Sequence, residues 1–128
     1  MDLDDLEALA AKVGATVGTH YGGEKGRRYP NGMITLRADL GFINRRCTLA
    51  HELAHHIAGD APSPDPWVTA RQERRAWELA AQWLISPVEY LAAERLHAGS
   101  ISGIAHELGV TTHLITMWQD HYLRKEAL

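Results

Sequence analysis

Two histidines four residues apart, with a glutamate after the first, constrain this chain more than any other stretch of it: His51-Glu52-Leu53-Ala54-His55. On a helix that spacing puts both imidazoles on one face, about one turn apart. Two nitrogen donors need that placement to share one tetrahedral ion, and zinc (Zn2+) is the ion such a pair suits. A chance occurrence on a surface helix is the bland alternative, and the surroundings count against it. Projected at about 100° per residue, Leu49, Ala50, Leu53, Ala54, Ile57 and Ala58 fill one apolar arc. His51 and His55 lie at its edge, where a site is half buried and still open to water. Glu52 stands beside the first of them, where a carboxylate can hold a water and take its proton. His56 falls about 100° from His55 and is not expected to be a ligand.

A catalytic zinc held by two imidazoles still lacks a third protein ligand. Asp65-Pro66 looks like an N-cap followed by proline at the first helical position. The helix it opens should run to about Ile85, because Pro87 disfavours helix at Ser86. Two carboxylates ride on it. Glu73 projects among Ala70, Ala76, Trp77, Ala80 and Leu84, whereas Glu78 projects among Arg71, Arg74, Arg75 and Gln82. A lone carboxylate on an apolar stripe is costly unless it meets a cation or a metal. Glu73 is therefore the expected third ligand, ahead of Glu78 and of Asp60.

The rest of the chain reads as a small sheet and several helices. Leu3, Leu6, Leu9 and Ala10 recur at helical spacing up to Gly14, which ends the segment. Ala15 to Tyr21 alternates as a strand does. Pro30-Asn31-Gly32 joins Arg27-Arg28-Tyr29 to Met33-Ile34-Thr35-Leu36 as a β-hairpin. The helix bearing the histidines should span about Asn44 to Ala58, with Gly59 as its stop. Two further helical stretches follow, roughly Val88 to Ala98 and Ser100 to Lys125, the second broken near Gly109. At 128 residues, with no long linker or repeat, one domain is expected. Residues 1–87 carry the metal-site core and residues 88–128 a helical extension.

Ile101 to Met117 resembles a helix-turn-helix, with Ala105, Gly109, Val110 and Ile115 at its small, turn and core positions. DNA binding is nevertheless not expected. The second helix offers Thr111, Thr112, His113, Thr116, Gln119 and Asp120 with no Lys or Arg before Arg124, and the net charge is −3; phosphate binding rests on the opposite balance. His106-Glu107 is a decoy, since the position four beyond His106 is Val110. His97, His113, His121 and Tyr90 are each able to offer a hydrogen bond to a transition state, and nothing in the sequence chooses among them. The single cysteine, Cys47, excludes an internal disulfide and reads as a small buried side chain. The acidic start, Met1-Asp2-Leu3-Asp4-Asp5, lacks the layout of a signal peptide, and no apolar run approaches membrane-spanning length. A cytoplasmic location is expected.

Arg46-Cys47-Thr48-Leu49-Ala50-His51-Glu52-Leu53-Ala54-His55, then Glu73-Arg74-Arg75-Ala76-Trp77-Glu78-Leu79-Ala80-Ala81, then Leu84-Ile85-Ser86-Pro87, resemble the ImmA/IrrE family of metallopeptidases. That family pairs an LAHELgH helix with a helix of the form E-x-x-A-(Asn/Asp)-x-x-A ending in Leu-Leu-x-Pro. The resemblance spans roughly Gly32 to Pro87, with a weaker match in the flanks. It implies a thermolysin-like site of two His and one Glu and carries the ligand Glu onto Glu73. Trp77 stands where the family usually has Asn or Asp, removing a polar neighbour of a zinc ligand, and Cys47 stands where an aromatic is common. Relatives encoded by phages and mobile elements cleave helix-turn-helix repressors, so a protein substrate of that kind is implied. The expected fold is an α+β, zincin-like domain, and the expected reaction is peptide hydrolysis with Glu52 as general base. The alternatives are a DNA-binding regulator, or a repressor-sequestering protein whose metal site is inactive or weak.

Overall fold

The computed structural model describes residues 1–127, and the side chains of residues 1–123. Helix α1 (Leu3–Lys12) starts at a capping box, in which Asp2 accepts the Asp5 N–H at 2.8 Å and the Asp5 carboxylate accepts the Asp2 N–H at 3.0 Å. Such a box satisfies two otherwise orphaned donors. Three short strands follow: β1 (Thr16–His20), β2 (Gly26–Arg28) and β3 (Met33–Arg37), ordered β1-β3-β2. β2 and β3 form the expected hairpin, and the Asn31 side chain accepts the Met33 N–H in its turn at 3.0 Å. β1 instead pairs with β3 in parallel, Val17 opposite Ile34 and Thr19 opposite Leu36. β2 is thereby an edge strand.

Helix α2 (Phe42–Ala58) packs on the sheet and begins two residues earlier than its periodicity suggests. It ends at Gly59 in the left-handed conformation, φ +70°, which glycine adopts without steric cost. Helix α3 (Pro66–Leu84) opens on the Asp65 cap, whose carboxylate accepts the Trp67 N–H at 2.9 Å. Helix α4 (Pro87–Leu96) opens on Ser86 and Pro87 in the same manner. Helices α5 (Ile101–Leu108) and α6 (Thr112–Ala127) complete the chain.

Ile34 and Leu36 of β3 meet Leu49 and Leu53 of α2 in a core that also takes Leu6 of α1, Ile104 of α5, and Leu114 and Ile115 of α6. Helix α2 is gripped from several sides, because the Arg46 guanidinium donates to the backbone carbonyls of Met1, Leu84 and Gly109. The architecture is α+β, as expected: a three-stranded sheet with helices packed against it. Among the described residues no helix is long and apolar enough to cross a membrane.

Candidate metal centre

The third and fourth turns of α2 present His51 and His55 to α3, and α3 answers with Glu73. His51 Nε2 lies 3.0 Å from Glu73 Oε2, His55 Nε2 lies 2.9 Å from Glu73 Oε1, and the two Nε2 atoms are 3.1 Å apart. A tetrahedral ion with bonds of about 2.0–2.2 Å spaces its ligand atoms by ~3.3–3.6 Å. The three donors stand a few tenths of an ångström inside that, so a small outward movement would admit an ion. Among the described residues these three form a cluster able to hold a metal, with ligand atoms within 4.8 Å of one another. Two imidazoles and one carboxylate are a donor set that fits zinc.

The rings are held from behind. The His55 Nδ1 lies 2.8 Å from Asp60 Oδ2, a contact that puts the ring proton on Nδ1 and leaves Nε2 for a metal. The Asp60 side chain is buried (4% exposed) and also binds Arg75 through its other oxygen. It therefore stands behind a candidate ligand, where the sequence allowed it as a ligand itself. It follows the left-handed turn at Gly59, which reverses the chain beside His55. Behind His51 the carboxylate is Glu52, whose Oε1 lies 3.4 Å from His51 Nδ1, a longer contact than the 2.8 Å one behind His55. Trp77 lies flat against its ring, with centroids 3.9 Å apart and planes 9° from parallel. Trp77, which departs from the Asn/Asp of the resembled pattern, thus steadies His51 by stacking. His56 turns away and donates to the Val13 carbonyl at 2.9 Å.

The helix projection ranked the two glutamates by burial, and the fold reverses that ranking. The Glu73 side chain is 47% exposed, while that of Glu78 is 13% exposed with Oε2 3.3 Å from His121 Nδ1 on α6. A wheel scores a face by its neighbours on the same helix. It does not register that α6 reaches the Glu78 side or that the Glu73 side stays half exposed where it meets the two histidines. Glu73 meets the histidines because of where α3 crosses α2, and escape from an apolar core has no part in it.

Glu52 points to the other side of His51. It is 9% exposed, its Oε2 lies 3.6 Å from Arg28 Nε, and Arg28 also donates to the Asp60 carbonyl at 2.9 Å. The carboxylate is therefore held by strand β2. Gly26, two residues before Arg28, lets β2 pass this close. A Cβ there would fall 2.8 Å from Thr48 Cγ2 and 2.9 Å from Glu52 Cγ. Between β2, α2, α3 and α6 lies a cleft of about 390 Å³ whose walls include Gly26, Thr48, His51, Glu52, Trp77 and His113. A larger cavity of about 450 Å³ between α4 and α6, lined by Tyr90, Trp118 and Tyr122 among others, contains none of the three ligand candidates. The roles of Arg28, Asp60 and the stacked Trp77 escaped the sequence, which carries no local pattern linking a strand arginine, a loop aspartate and a helix tryptophan to one histidine pair.

No curated protein sequence matches the chain. A solved structure described as a Mycobacterium tuberculosis transcriptional regulator superposes with a TM-score of 0.65 at 16% sequence identity, over 88% of this chain and 38% of that one. At that identity the likeness is one of fold, and this chain spans 38% of the regulator's length. The sequence pattern of the IrrE N-terminal-like domain, peptidase M78, matches residues 5–117, a stretch that holds both histidines, Glu52 and Glu73. The chain belongs to that metallopeptidase-like family.

Proposed function

We propose that the chain is a zinc-dependent endopeptidase whose substrate is a helix-turn-helix repressor. The observation that carries this most is the convergence of His51, His55 and Glu73, with a separate carboxylate, Glu52, facing the adjoining cleft. Zinc, when bound, supplies Lewis acidity: it polarises the scissile carbonyl and makes water a better proton donor. The protein's own groups do the rest. Glu52, anchored by Arg28, accepts a proton from the attacking water and returns it to the departing amide nitrogen. Asp60 and Trp77 keep the imidazoles from turning. The outer edge of β2 is free of strand pairing among the described residues, and an extended substrate segment fits such an edge by strand addition. A peptide bond inside a folded helix would not reach the centre, so the reading favours a loop or an unfolding segment of the substrate.

The test is metal content followed by cleavage. Protein prepared without chelators should carry about one zinc per chain. Glu73→Ala should lower that strongly, and Glu78→Ala should leave it near the parent value. Zinc near zero after reconstitution overturns the proposal. Glu52→Gln should keep its zinc while cleavage of the repressor falls by a factor on the order of 10² or more. Equal cleavage by parent and variant removes Glu52 from the role of base.

A second reading, a DNA-binding regulator, draws on the description of the structural neighbour as a transcriptional regulator. Helix α6 speaks against it. Thr111 and His113 line the metal cleft, and Leu114, Ile115 and Trp118 are buried. Salt-dependent duplex binding without proteolysis would favour the regulator.

A further inference from the structure

Peptide hydrolysis builds negative charge on the scissile carbonyl oxygen, and a preorganised N–H or O–H aimed at that oxygen is among the largest contributions a protein makes to the rate. Four side chains offer such a donor on sequence grounds, and the structure separates them. His97 sits where α4 meets α5, its Nε2 3.5 Å from Glu107 Oε2. His121 faces Glu78. The Tyr90 hydroxyl donates to Glu94 Oε2 at 2.9 Å and accepts from Gln119 at 2.8 Å. None of these three lines the cleft that holds Glu52 and His51. His113 does.

His113 stands in the first turn of α6, behind Thr111, whose hydroxyl accepts the Leu114 N–H at 3.2 Å. Its ring meets Trp77 edge to face, with centroids 4.6 Å apart and planes at 90°, and Trp77 in turn lies flat on His51. Three rings in contact thus run from the metal centre to the α6 wall of the cleft. Among the described residues neither ring nitrogen of His113 is engaged in a hydrogen bond or ion pair. Three other polar groups of the cleft already have partners or lack a donor. The Lys25 ammonium donates to Asn44 Oδ1 at 3.1 Å, the Thr111 hydroxyl caps α6, and Glu52 only accepts when ionised.

We propose that His113 is a catalytic residue that hydrogen-bonds the oxygen of the scissile carbonyl as it gains charge. This rests on the peptidase reading above, and the experiment is built to tell the two apart. Zinc-loaded parent, His113→Ala and His113→Gln are titrated by calorimetry with two mixed-sequence peptide probes. One is a phosphinic peptide, whose tetrahedral anionic centre mimics the charged oxygen; the other is a peptide hydroxamate, which chelates the metal. His113→Ala should bind the phosphinate roughly 10- to 100-fold more weakly, the scale of a lost hydrogen bond to a charged group. Its zinc content, thermal midpoint and hydroxamate affinity should match the parent. His113→Gln, which keeps an N–H, should recover part of the loss. Cleavage of the repressor by His113→Ala should show kcat down by about 10²–10³ with little change in KM. If the parent binds both probes and His113→Ala binds the phosphinate as tightly, His113 has no such role and the peptidase survives. An equal loss of both affinities also overturns the proposal, since it marks a deformed cleft. A zinc-loaded parent that binds neither probe brings down the peptidase reading and this inference with it.

Discussion

Asp60 is the side chain outside the candidate metal cluster most directly tied to it. Its carboxylate is buried, accepts from His55 Nδ1 and is itself held by Arg75. Removing such a support from a metal-ligating histidine typically costs 10- to 100-fold in affinity. Asp60→Ala is therefore expected to weaken zinc binding by roughly that factor, measured by competition with a chromophoric chelator. Arg75 is more than half exposed and finds water when its partner goes, so the thermal midpoint of the metal-free protein should move little. Unchanged affinity would mean that Trp77 stacking and helix geometry hold the histidine pair unaided. Cys47 illustrates the opposite case. Burial pushes its thiol pKa up, which keeps it protonated at neutral pH and chemically quiet even though it borders the cleft. Its modification by a thiol reagent should follow the rate of unfolding.

The pair α5–α6 carries the outline of a helix-turn-helix yet spends it on packing. Ala105, Val110, Leu114, Ile115 and Trp118 are all buried, and Thr111, just before α6, and His113, in its first turn, line the cleft. Leu114→Ala removes a fully buried side chain and should cost about 2–5 kcal/mol, read as a lower urea midpoint with an unchanged slope. A cost below ~1 kcal/mol would mean that α6 is loosely attached. Edge strand β2 is the other element whose use depends on its surroundings. Three residues long, it pairs along one side only, carries Arg28 to Glu52, and clears α2 because residue 26 has no Cβ.

The core runs without a break from Leu6 in α1 to Trp118 in α6, and Arg46 ties the carbonyls of Met1, Leu84 and Gly109 to α2. The helices after residue 87 thus supply part of the core that supports Leu49 and Leu53. A chain ended at residue 87 is expected to lose cooperative thermal unfolding and to bind zinc weakly, measured by circular dichroism melts and metal titration. A truncated chain that melts sharply and holds one zinc would show the later helices to be an accessory.

Features that depend on neighbours within about a turn were legible in the sequence. Asp65 and Pro66 opened α3, Gly59 closed α2, and the hairpin turned at Asn31-Gly32, because caps and turns are satisfied by groups a few residues away. The shared face of His51 and His55 belongs with them, being a consequence of helical periodicity alone. Contacts between distant parts of the chain were not legible. The parallel pairing of β1 with β3, Asp60 behind His55, Trp77 against His51, His113 on the cleft and the exchanged burial of Glu73 and Glu78 all depend on how separate elements cross. Pattern along a helix or strand says which side is apolar. It says nothing of which partner covers that side, since many packings bury the same stripe and differ only in the long-range contacts that select one of them.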